Sequence, residues 1–133
     1  MTSRPPLPPG QKEIESFPRF GLAPFAVRFP KEFAVRLRIS GDVERDVEIG
    51  AELEQIGRVE QVSDFHCVTT WTRRALRWGG FRFADFYREI VVPLAAPAAD
   101  AGFVVLKGQD GARSSMPLAD LMADDVLVAD RLD

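Results

Sequence analysis

The hydrophobic pattern of this chain switches between a period of two and a helical period every few residues, which excludes any fold built from a few long, uniform elements. Phe33, Val35, Leu37 and Ile39 alternate with Ala34, Arg36, Arg38 and Ser40, predicting a half-buried strand whose arginines face water. Gly41-Asp42 then turns the chain, and Val43, Val47 and Ile49 predict a second, irregular strand. Leu53 and Ile56 stand at helical spacing before Gly57 ends that segment. Residues 59–65 read as a strand leading directly into His66-Cys67, and 68–80 hold too many Trp, Arg and Gly residues for a simple surface connector. Phe83, Phe86, Tyr87, Ile90 and Val91 recur at i, i+3, i+4, i+7 and i+8, predicting an amphipathic helix that Pro93 should stop. A surface loop over 95–102, a short buried strand over 103–106 and a turn at Gln109-Asp110-Gly111 follow. A return strand over 113–116, a short helix over 117–122 and a last strand over 126–129 complete the chain. Short strands and short helices in this order lack regular strand-helix alternation, so the expected class is α+β with a mixed, mostly antiparallel sheet.

Five prolines among the first 18 residues (Pro5, Pro6, Pro8, Pro9 and Pro18) make 1–16 an extended, mobile arm rather than packed secondary structure, ahead of one domain over 17–133. The segment Phe17-Pro18-Arg19-Phe20-Gly21-Leu22-Ala23-Pro24-Phe25 is too apolar for a free tail and should lie against the domain or a ligand. A hydrophobic fraction of 46% in 133 residues supplies one core. A net charge of −3 lacks the basic surface of a nucleic-acid binder. Arg outnumbers Lys 14 to 3, which favours bidentate recognition of carboxylate, phosphate or sulfate-like groups, although a GC-rich genome gives the same bias. No stretch is apolar for long enough to span a bilayer, and residues 1–10 do not read as a signal peptide, so with Met1 as the natural start the expected location is the cytoplasm.

Cys67 and His66, the single cysteine and single histidine, are adjacent. One cysteine excludes an internal disulfide and a resident c-type haem, and one histidine excludes multi-histidine metal sites. There is no GxGxxG after a strand, no GxxxxGK[ST] and no GxSxG. Cys67 closes a strand, where a side chain can project from a rigid scaffold, and a thiolate suits a heavy transition metal. Arg73, Arg74 and Arg77 would lower its pKa if they lie close. Lone cysteines also pack commonly as small hydrophobes, and tryptophans such as Trp71 and Trp78 commonly pack in cores.

The run Ser63-Asp64-Phe65-His66-Cys67-Val68-Thr69-Thr70-Trp71-Thr72 resembles the cysteine loop of sulfite-oxidase-type molybdopterin oxidoreductases. The resemblance continues in order through the chain. Residues 17–20 resemble the family's aromatic pterin-contacting segment, and Leu76-Arg77-Trp78-Gly79-Gly80-Phe81 its tryptophan-glycine step. Asp110-Gly111, Pro117-Leu118 and Val126-Leu127-Val128-Ala129 resemble its later elements. It implies a molybdenum-molybdopterin cofactor whose metal is held by the pterin dithiolene and by the Cys67 thiolate, with the metal performing oxygen-atom or electron transfer. It places Arg19, Phe20, His66 and Trp71 along the pterin or the metal pocket. Arg19 and one arginine from 73–77 would be offered to the cofactor phosphate or to an anionic substrate.

In the family the domain continues through a further pterin-holding segment, whereas this sequence ends at Asp133, so the domain is expected to be C-terminally incomplete and its last strand unpaired at one edge. The arginine context of sulfite-oxidising members is not reproduced, and the resemblance is closer to bacterial members of the methionine-sulfoxide-reductase catalytic-subunit kind. A small-molecule substrate, a separate electron-transfer protein and self-association are the implied partners. Two other readings stay open: a cofactor-free binding or scaffold module that engages partners through the arm and the 17–25 loop, and metal-free thiol chemistry with His66 or an arginine activating Cys67. Adjacent strand residues point to opposite faces, so His66 reaches the Cys67 sulfur only if the chain turns there.

Overall fold

A computed structural model describes residues 3–18 and 34–133. Its strands are β1 (Lys12–Glu13), β2 (Leu37–Ile39), β3 (Val47–Ile49), β4 (Val59–His66), β5 (Trp71–Arg82), β6 (Phe103–Lys107), β7 (Arg113–Pro117) and β8 (Leu127–Leu132). The helical pieces are a 3-10 segment (Ala51–Gln55), α1 (Phe83–Phe86), a π segment (Tyr87–Val91), α2 (Val92–Ala95) and α3 (Leu118–Leu121). Antiparallel pairing dominates and the helices are short, so the α+β expectation holds.

The 12-residue β5 is the spine. It pairs antiparallel with β4 along one side, while β1 (parallel) and β8 (antiparallel) share the other. β2–β3 and β6–β7 form separate two-stranded ribbons. The core joins Ile49 and Ile56 to Phe81 and to one face of the helical segment, namely Phe83, Phe86, Ile90, Val91 and Ala95, with Leu121 closing it. Phe81–Phe86 and Phe83–Phe86 ring contacts, with centroids 5.8 and 5.9 Å apart, lock the end of β5 to α1.

Several sequence expectations are corrected. The helix does not stop at Pro93 but runs through it to Ala95. Proline lacks an N–H and its ring clashes with the carbonyl four residues back; the preceding π turn, in which the Val92 N–H reaches back to the Tyr87 carbonyl, widens the helix where that clash would fall. The helix ends where Ala96 takes φ +51°, and Ala95, placed by its sequence in a surface loop, is fully buried. The strand expected to be buried over 103–106 is one side of a ribbon: Val104 packs on the core, while Phe103 is 73% and Val105 53% exposed, because residues two apart share a face. Val43 makes an isolated bridge to Pro97 instead of extending β3.

Within the proline-rich arm, expected to lack packed secondary structure, Lys12–Glu13 forms a strand because the Lys12 and Ile14 N–H groups find the Thr70 and Thr72 carbonyls, each at 2.9 Å. Among the described residues no helix is long and apolar enough to cross a membrane.

Candidate functional site

β4 and β5 form one long hairpin whose tip is the four-residue turn Cys67-Val68-Thr69-Thr70. The Cys67 N–H donates to the Trp71 carbonyl at 2.9 Å and the Thr70 N–H to the Cys67 carbonyl at 3.1 Å. Thr70 takes φ +74°, a conformation that a β-branched residue adopts only where its surroundings enforce it. The turn is therefore tight, and it presents Cys67 half-buried beside a wholly exposed Val68.

The Cys67 sulfur lies 3.1 Å from the Thr69 hydroxyl. That hydroxyl, then the Thr69 backbone N–H and to a smaller degree that of Val68, holds the thiol below its usual pKa, outweighing the slight opposing effect of burial. No arginine is among these causes, so the condition under which Arg73, Arg74 or Arg77 would lower it is not met. Arg73 stacks its guanidinium 4.8 Å from the centre of the Phe17 ring. Arg74, with only 11% of its side chain exposed, lies 3.3 Å from Glu13 and 3.9 Å from Asp64. Nor is His66 the partner of the sulfur, since its Nδ1 lies 2.8 Å from Thr72 Oγ1.

The two faces of the hairpin differ. On one, Phe65 stacks on Trp71 with ring centroids 5.6 Å apart, touches Trp78 at 5.9 Å, and meets Phe17 edge-on at 6.0 Å. Trp71 Nε1 is buried there without a hydrogen-bond partner. On the other, the fully buried Thr72 joins His66 to Gln11, whose Nε2 reaches the Cys67 carbonyl at 3.1 Å.

Two irregularities in β5 shape this hairpin. Between the pairs Ser63–Leu76 and Phe65–Arg73, β5 has one residue too many, a bulge in which Ala75 takes φ +54° and donates its N–H to Asp64 Oδ1 at 2.8 Å. At the other end, a Cβ on Gly80 would stand 2.9 Å from Ala129 Cα and closer still to the Val128 carbonyl oxygen, so only glycine lets β8 cross.

Of the residues expected to line a cofactor, Cys67, His66 and Trp71 thus lie at one end of one hairpin, and Arg19 and Phe20 lie outside the described residues. Gln11, Thr69 and Thr72 were not singled out from the sequence, and nothing in their spacing marks them. Among the described residues no three His, Cys, Asp or Glu side chains converge as a metal site, so a metal held here by Cys67 would have to take its other donors from a bound group. A half-buried thiolate favoured by neutral donors could serve a soft metal whose other ligands come with a bound group.

Residues 26–133 match the family model described as an oxidoreductase molybdopterin binding domain. The chain is also 30% identical over 126 residues to an uncharacterized oxidoreductase, YuiH, of Bacillus subtilis (strain 168). That alignment covers 92% of this chain and 60% of the relative, so the chain spans about three fifths of the length of the curated protein it matches.

Proposed function

The chain belongs to the molybdopterin-binding oxidoreductase domain family, and from that premise we propose that it serves a molybdenum-dependent oxidoreductase in which Cys67 is the protein's ligand to the metal. The family's cofactor is molybdenum-molybdopterin. The observation that carries the reading is Cys67 itself: the single cysteine, inside the matched region, at the tip of a hairpin, with its thiolate favoured by Thr69. When bound, the cofactor supplies oxygen-atom or electron transfer to a small-molecule substrate.

The chain's own residues have definable tasks. Thr69 and the backbone N–H groups of the turn keep the sulfur anionic without placing a cation on it, so its charge stays available to a metal. Trp71 and Phe65 form an apolar wall beside the turn that limits water. His66 offers its second ring nitrogen at the same end of the hairpin, and Arg19 and Phe20 are proposed to complete the pterin contacts.

The test is elemental analysis for molybdenum, with pterin fluorescence after release, on protein from a cofactor-competent host. Near-stoichiometric metal in the parent and loss of at least tenfold in Cys67→Ser, with an unchanged fold, is the expected result. Equal molybdenum in both proteins would remove Cys67 from the metal, and no metal in either would favour the cofactor-free module.

A further inference from the structure

The polar chain between the arm and the hairpin tip can run in one direction only. A carbonyl accepts and never donates, so the Gln11 group 3.1 Å from the Cys67 carbonyl is the amide nitrogen. The Gln11 oxygen therefore faces Thr72, whose hydroxyl spends its single proton on it at 3.0 Å. With that proton committed, the 2.8 Å contact between Thr72 Oγ1 and His66 Nδ1 is a hydrogen bond only if Nδ1 carries the proton and donates it. Thr72 is completely buried, so bulk water cannot take over either role. Gln11 precedes residue 26, where the family match begins, and so belongs to the arm and not to the matched domain.

We propose that Gln11 is a positioning residue: its side-chain amide latches the Cys67 turn to the arm and, through Thr72, fixes His66 as the Nδ1–H tautomer. A second feature agrees. The positive φ of Thr70 needs enforcement, and the arm supplies it from both sides, by the Lys12 N–H on the Thr70 carbonyl and by Gln11 on the Cys67 carbonyl. The latch thus sets both the backbone that carries the sulfur and the tautomer of the neighbouring His66 ring. Its consequence for the cofactor rests on the proposed reading of Cys67 as a metal ligand; its geometry does not.

His66 is the only histidine, so long-range 1H–15N correlation spectra of the full chain report its tautomer without ambiguity. They are recorded at alkaline pH, and their cross-peak pattern distinguishes the two neutral tautomers. The parent should show Nδ1–H. Gln11→Met frees the Thr72 hydroxyl to donate to Nδ1, and the spectrum should change to Nε2–H. Gln11→Glu still accepts from Thr72 but cannot donate to the Cys67 carbonyl, so it should keep Nδ1–H while amide exchange of Thr70 speeds up about five- to tenfold. Nε2–H in the parent, Nδ1–H in a folded Gln11→Met, or a loss of Nδ1–H in Gln11→Glu would overturn the proposal. Should Gln11→Met fail to fold, the Gln11→Glu pair of readings decides alone: both as expected upholds the latch, and either one failing refutes it.

In cofactor-competent cells, Gln11→Met and Gln11→Glu should each lower molybdenum content about tenfold, the usual effect of losing a residue that supports a metal ligand. If molybdenum proves independent of Cys67, the ligand reading falls while the tautomer result still decides the latch.

Discussion

Gly80→Ala is the substitution whose cost follows most directly from the structure. The new methyl carbon would stand 2.9 Å from both Ala129 Cα and the Val128 carbonyl carbon, and closer to the Val128 oxygen. Carbon atoms pack at about 3.5–4.0 Å, so β8 would have to retreat by roughly 0.6 Å or more, and it is backbone that must move. That retreat stretches the ladder where Gly80 pairs with Ala129 and Phe81 with Val128. Overpacking of this kind costs about 1–3 kcal/mol, and backbone contact places it near the top of the range; relief of the glycine entropy penalty returns about 0.5–1 kcal/mol. The net expected loss is about 2 kcal/mol. Gly79→Ala is the internal control, because its Cβ meets only the Arg131 side chain, nearest at its Cβ 3.3 Å away, so an adjustment of only a few tenths of an ångström suffices. It should be neutral within about 0.5 kcal/mol. Urea unfolding followed by tryptophan fluorescence, with Trp78 preceding the glycine pair and Trp71 at the start of the same strand, measures the difference, and a Tm gap of about 8 °C should accompany it. If the two variants unfold within about 0.5 kcal/mol of each other, the crossing of β8 over Gly80 is not what the fold requires.

Two further outcomes follow from the ionisable groups. Thr69 is the largest cause of the depressed Cys67 pKa, so Thr69→Val should move the pH profile of Cys67 alkylation in cofactor-free protein upward and slow the reaction at neutral pH; superimposable profiles would remove Thr69 from that role. Asp130 accepts a two-pronged hydrogen bond from Arg58, which holds its carboxyl below the usual range. A depressed folded pKa contributes stability that is present above the unfolded value of about 3.9 and is lost as pH falls through the folded one. Asp130→Asn should therefore cost stability at neutral pH, by no more than about 1 kcal/mol because both side chains are substantially exposed, with the difference from the parent vanishing in acid. A gap that persists unchanged at low pH would contradict this assignment.

β4 was legible in the sequence as a strand running into His66-Cys67, although its apolar residues Val59, Val62 and Phe65 stand three apart, whereas β5 was not, and the reason is the bulge. The extra residue at Arg74-Ala75 resets the alternation between Trp71 and Leu76, so no single period runs through Trp71–Arg82. Arg74 misleads further, being a charged residue that its neighbours Glu13 and Asp64 allow to be nearly buried. The strand in the arm carries no side-chain pattern because its two pairings are made by backbone groups. Pro93 read as a helix stop because the π turn before it has no signature in spacing. Cys67 and His66 stood out by scarcity and by the motif around them. Gln11 could not, since it meets Thr72 61 positions away through a fold that its sequence neighbourhood does not announce.

The electrostatics of the tip bear on why Arg73 and Arg74 are committed elsewhere. A guanidinium beside Cys67 would also stabilise a thiolate, but it would compete with any metal for the sulfur's charge and would repel the metal itself. Here Arg73 lies on Phe17 and Arg74 lies between two carboxylates, leaving the sulfur to a hydroxyl and backbone dipoles. Those neutral donors favour the anion without cancelling it. On the proposed reading, Glu13 serves the site twice, because it pairs with Arg74 and belongs to the arm strand that carries Gln11 to the Cys67 carbonyl.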